Sequence, residues 1–223
     1  MNSTVKMVRR YEPAQRIVHW LGVGLFGILL DTGVALLLRA AWPVTAGGYS
    51  RWLHRVAAVP FMVLPLVYVL WLRREARELL RESLSYGRED WEWLKRMPSY
   101  MLGSTAGLPP QGRINAGQKL HHAGTFAAFV TVSASGLVLW FGKGSLGPSG
   151  LAIAAIAHDA SMLLLFVLMI GHVYFTFLYG ALPAMRSGYV SEEYARMEHR
   201  KWVEGLPPDA FVEAPGERAR GAG

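Results

Sequence analysis

HDASMLLLFVLMIGH, residues 158–172, begins and ends with a histidine and holds almost only apolar side chains between them. On an α-helix the path from His158 to His172 is a rise of about 21 Å and a rotation about 40° short of four full turns. Both imidazoles therefore point to nearly one face, at opposite leaflets of a bilayer. This stretch lies within one of four apolar runs near the twenty or so residues that cross a hydrocarbon core, at 17–38, 52–72, 120–141 and 151–179.

The bulk composition agrees with a membrane solvent. The chain has 223 residues, 52% of them hydrophobic and 17% charged, with a mean hydropathy of +0.23, high for a soluble domain of this length. The N-terminal MNSTVKMVRRYEPAQR has no apolar core followed by a small-residue cleavage site, so no removable signal peptide is expected. Cysteine is absent, which excludes disulfides, iron–sulfur clusters and thiolate metal sites.

Positive charge is uneven. Lys6, Arg9, Arg10 and Arg16 precede the first run, Arg73 through Arg113 fill the long second loop, and Arg186 through Arg220 follow the last run. The short loops hold few: Arg39 and Arg51 border one, and Lys143 lies in the other. The positive-inside rule then puts both termini and the long loop in the cytoplasm, and the surplus of Lys and Arg reports orientation, not a nucleic-acid partner.

The segment LRREARELLRESLSYGREDWEWLKRMPSY (72–100) spaces leucines among arginines and glutamates as a helix on the inner membrane face does. A Gly/Pro-rich connector, GSTAGLPPQGR, leads into the third run, and a short helix is expected around SEEYARMEHRKW before a disordered Pro/Gly/Ala tail. Residues 1–185 thus form the membrane domain and 186–223 a partly disordered cytoplasmic segment, in which His199 is expected to be solvated. Runs one and three echo each other: Gly33 follows His19, and Gly136 follows His122, at the same distance of fourteen. Asp31, in the outer half of the first run, is costly there unless it lies near the surface or meets a partner.

Six histidines, His19, His54, His121, His122, His158 and His172, sit in or beside the runs. Buried imidazoles in a membrane face a bundle interior or a cofactor. Two stacked b-type haems need one helix to supply an axial imidazole to each, as His158 and His172 are spaced to do. At the outer leaflet His54 is the partner at the depth of His158. At the inner leaflet His172 can meet His19, His121 or His122, and depth leaves these three open. Zinc fits less well, because its sites gather three or four ligands.

RYEPAQRIVHW before the first run, LHR at the start of the second, INAGQK before the third and the His158/His172 pair in the fourth resemble the gamma subunit of membrane-bound formate dehydrogenases, over nearly the whole chain. The resemblance implies an all-α integral membrane protein: a four-helix bundle with cytoplasmic termini and two haem b groups, in the bacterial inner membrane. It implies an outer haem on His54 and His158, an inner haem on His19 and His172, and menaquinone or ubiquinone beside Asn115, Gly117, Gln118 and Lys119, with His121 and His122 as accessory candidates. Asn115 with Gln118 also reads as a helix capping box. The implied partners are membrane lipid, an iron–sulfur beta subunit and a molybdenum or tungsten alpha subunit, with higher assembly left open. Such a chain carries electrons to quinone and has no formate-oxidising site of its own. The alternatives are the cytochrome b of a nickel–iron hydrogenase or of a thiosulfate or polysulfide reductase, and, in another class, a haem-free anchor or small transporter.

Overall fold

A computed structural model describes residues 4–38 and 48–215. It is mostly helical and divides into two units, Pro13–Arg77 and Met1–Glu12 with Glu78–Gly223. Four helices are long and apolar enough to cross a membrane, and few of their residues are buried within the protein, so lipid or partner helices must cover them.

The first unit is a helical hairpin of α1 (Pro13–Leu37) and α2 (Tyr49–Trp71). Pro13 opens α1 at the one helical position where a missing N–H costs nothing. Pro60 and Pro65 lie inside α2, where a membrane helix tolerates them. The helices meet through small and aromatic side chains, Gly22 against Leu64 and Phe26 near Phe61. Arg39, which borders the connection, lies outside the described residues.

Most of the second unit follows α3 (Arg73–Leu84), which starts in the first. Next come α4 (Arg88–Lys95), α5 (Met97–Met101) and a second membrane hairpin, α6 (Ala116–Phe141) with α7 (Pro148–Leu178), joined by a 3₁₀ turn at Gly142–Gly144. The single amphipathic helix expected over 72–100 is thus three helices. Gly87 breaks the chain, and its N–H donates to the Asp90 carboxylate at 2.7 Å to start α4. Two aromatics and a small residue, Trp93, Tyr100 and Ala116, form one buried cluster against Phe175 and Tyr179.

The all-α expectation also needs amendment. Strand β1 (Thr4–Arg9) is the centre of a three-stranded antiparallel sheet, flanked by β2 (Tyr189–Ser191) and β3 (Phe211–Pro215). Val8 stands opposite Val190 on one side and Phe211 on the other. Helices α8 (Leu182–Ser187), α9 (Glu192–Glu198) and α10 (Arg200–Glu204) complete this cap, whose core is Val8, Ala184, Val190, Ala195 and Val203. Residues 211–215, expected in a disordered tail, are a paired strand, because β1 supplies the ladder their own composition does not advertise. His199 is a second correction: it is 0% exposed, not solvated.

Candidate functional site

In the first hairpin, α1 presents Thr32 and Gly33 to His54 of α2. Thr32 Oγ1 has one hydrogen and donates it to the Ile28 carbonyl at 2.6 Å, so at 2.9 Å from His54 Nδ1 it accepts from the ring. A Cβ on Gly33 would stand 3.5 Å from the same imidazole. His54 therefore carries its proton on Nδ1, which leaves Nε2 as the nitrogen with the lone pair.

The second hairpin repeats the arrangement. Ser135 Oγ donates to the Thr131 carbonyl at 2.6 Å and lies 3.3 Å from His158 Nδ1, which donates to the Val132 carbonyl at 3.0 Å. A Cβ on Gly136 would meet His158 Cε1 at 3.1 Å. The echo in the sequence thus marks a hydroxyl and a glycine that lie against the anchored Nδ1 face of an imidazole on the next helix. Ligating histidines are oriented by such Nδ1–H bonds, the second nitrogen facing the metal.

At the other end of the second hairpin, His121 stacks on His172 with ring centroids 5.4 Å apart, and His122 Nδ1 is 2.8 Å from Ser83 Oγ of α3. His19 lies half-buried in α1. Asp31 is exposed on its helix. Among the described residues no three His, Asp or Glu side chains gather as a metal centre of protein ligands alone.

The four residues expected at a quinone each have an internal role. Asn115 is buried and caps α6: its Oδ1 accepts from Gln118 N–H at 2.9 Å while Gln118 Oε1 accepts from Asn115 N–H at 3.2 Å. Gly117 is where the Trp93 indole passes, and a Cβ there would lie 2.7 Å from it. Lys119 donates to the Asp90 carboxylate and the Ser85 carbonyl, each at 2.7 Å.

Asn115 Nδ2 donates to Glu198 Oε2 at 3.1 Å, and Tyr100 Oη donates to the same oxygen at 2.9 Å. Burial pushes the Glu198 carboxyl up from its usual range, against the lowering effect of the Tyr100 and Asn115 hydrogen bonds and Arg10. Burial pushes neighbouring His199 well down, with Arg10 adding to it, and its Nδ1 bonds the Gly112 carbonyl at 2.9 Å. Sequence reading missed this cluster, since Glu198 and His199 sit among charged residues that resemble a solvated helix.

The model of the family described as prokaryotic cytochrome b561 matches residues 10–188. The chain belongs to that family. As a cytochrome b its implied cofactor is haem b, and the two Nδ1-anchored imidazoles fit axial ligation. The cytochrome is 25% identical over 209 residues to the formate dehydrogenase cytochrome b556 subunit of Haemophilus influenzae, covering 91% of this chain and 84% of that one. It is 23% identical over 200 residues to the formate dehydrogenase cytochrome b556(fdo) subunit of Escherichia coli K12, covering 86% and 90%. The nitrate-inducible b556(Fdn) subunit of the same strain is 21% identical over 208 residues, covering 90% and 92%. Four apolar helices in a cytochrome of this family fit a multi-pass protein of the bacterial inner membrane.

Proposed function

We propose that this cytochrome b is the membrane subunit of a respiratory oxidoreductase of the formate dehydrogenase type. It takes electrons from an iron–sulfur partner at the outer face and passes them through two haems to a quinone at the cytoplasmic side. The observation that carries the reading is the matched pair of imidazoles, His54 and His158, each anchored through Nδ1 beside a hydroxyl-and-glycine step on the preceding membrane helix. The roles of the relatives, formate dehydrogenase cytochrome subunits, supply the class of complex.

In this reading His54 and His158 hold the outer haem and His19 and His172 the inner one. The bound irons supply one-electron chemistry. The Thr32 hydroxyl and the Val132 carbonyl keep the ligating rings in one tautomer, and the glycines beside them leave the imidazoles room. Asn115 and Lys119 place an amide and a cation at the start of α6, near which a quinone gaining electrons is stabilised. The termini are cytoplasmic, so protons are consumed inside and turnover adds to the membrane potential. A molybdenum or tungsten subunit completes the complex and performs the substrate oxidation.

The test is a pyridine haemochrome assay on purified chain, with two haems per chain expected, beside the native spectrum, in which low-spin bis-imidazole iron is expected. Alanine at His54 or His158 should remove one haem, and alanine at His19 or His172 the other. A haem-free chain, or two haems retained in both fourth-helix variants, refutes the assignment. Full haem in His19→Ala with loss in His121→Ala or His122→Ala transfers the inner ligand to that residue.

A further inference from the structure

The cap formed by the N-terminal strand, α9 and the residues before α6 encloses a carboxylic acid, and that acid is not needed as a mere tie. Glu198 is 5% exposed, and its Oε2 already takes both neighbouring donors, Tyr100 Oη and Asn115 Nδ2. Its other oxygen, Oε1, is buried with no hydrogen-bond partner among the described residues. Two neighbours share the condition: Arg10, 7% exposed, has a buried Nη1 with no such partner, and His199 has a buried Nε2 with none. Buried polar atoms in a purely structural hydrogen-bond knot are paired, because an unpaired one is costly. Charge on a buried oxygen without a partner is costlier still, so the geometry favours the neutral acid over the carboxylate.

We propose that Glu198 holds a proton on Oε1 in the resting protein and gives it to the quinone as electrons arrive. The inference rests on the quinone reading above. Two electrons from haem and two protons convert the quinone to quinol. The Glu198 Oε1–H bond breaks, an O–H bond forms on one quinone oxygen, and the carboxylate keeps the electron pair. The second proton, and the one that recharges Glu198, come from the aqueous side.

The surroundings are built for both states. Tyr100 from α5 and Asn115 at the N-cap of α6 already donate to Oε2, and such bonds strengthen when the acceptor becomes a carboxylate. Arg10, just past β1, is the cation that compensates the new charge. The other titratable groups around it stay neutral in the working range. Tyr194 of α9 and Tyr179, after α7, are pushed up to about 12 and Tyr100 is pushed up by burial and Glu198, while His199 is pushed down. Burial against three favourable partners leaves the Glu198 carboxyl above its usual range, the direction a proton donor at neutral pH requires.

The experiment uses the full chain purified in detergent. Infrared spectra of wild type minus Glu198→Gln at neutral pH should show one protonated-carboxyl band. Haem prereduced with stoichiometric dithionite is then mixed with a short-chain naphthoquinone. Haem content should match wild type in E198Q, and reoxidation should slow at least tenfold. Tyr100→Phe removes a donor that favours the carboxylate, so the infrared titration midpoint and the pH profile of reoxidation should move together to higher pH, which a packing role does not produce. A carboxylate signal from resting wild type, wild-type reoxidation in E198Q, or an unmoved profile in Y100F overturns the proposal. Missing Soret absorbance in wild type would instead sink the quinone reading, while the infrared band still reports Glu198.

Discussion

Gly117→Ala isolates one close approach that the fold makes. The added Cβ would stand 2.7 Å from Trp93 Cη2 and 3.0 Å from Cζ3, against about 3.5–4.0 Å for ordinary carbon contacts, so the indole must retreat by about 1 Å. It has little room: Trp93 is 1% exposed and lies 4.7 Å from the Tyr100 ring, which stacks on Tyr179 at 4.3 Å. Overpacking of this kind costs about 1–3 kcal/mol, which at about 2–4 °C per kcal/mol for a chain of this size lowers the melting temperature by several degrees. The assay is thermal unfolding of the full chain in detergent, in wild-type and Trp93→Phe backgrounds. Phenylalanine lacks both clashing atoms, so G117A should cost less than about 0.5 kcal/mol in the W93F chain, whatever W93F costs alone. Equal costs in the two backgrounds, or a wild-type melting temperature in G117A alone, would refute the packing argument.

Thr32→Val removes the hydroxyl that accepts from His54 Nδ1 and should weaken haem retention at that ligand by about 10- to 100-fold. Ser135→Ala should cost far less, because the Val132 carbonyl still accepts from His158 at 3.0 Å; haem content after dilution and gel filtration compares them. Lys119→Met leaves Asp90 without the cation of a pair whose side chains are 12% and 9% exposed, and should destabilise the chain by about 3–5 kcal/mol in denaturant unfolding. His199 is held neutral by burial, so its contribution is full above the unfolded value of about 6.5 and is lost as pH falls below it. His199→Asn can still donate to Gly112 but does not titrate, so between pH 7 and 5 melting temperature should fall less in the variant than in wild type.

The membrane helices were legible because hydrocarbon thickness sets their length. Their starts are less legible: α1 begins at Pro13 and α6 at Ala116, each with a polar first turn that hydropathy trims away. A capping box is the better boundary signal, and Asn115 with Gln118 placed the start of α6 where the structure has it. The sheet was not legible. Thr4–Arg9 is too short a stretch for alternation to speak, and its partners lie near residues 190 and 213, so nothing local announces the pairing.

The site divides along the same physical line. His54 and His158 could be singled out because an imidazole in an apolar run is expensive wherever it sits, and the glycine echo was visible in the spacing. What spacing did not show is that each glycine is preceded by a hydroxyl, Thr32 or Ser135, whose target is on the next helix. Glu198 and His199 carry the opposite lesson. Between Arg196 and Arg200 they look solvated, and their burial is imposed by residues far along the chain: Arg10, Tyr100, Gly112 and Asn115. A charged group in a polar stretch has no local cost to betray it. Only the closed cap raises that cost, and only there does the proton on Glu198 become a quantity the fold controls.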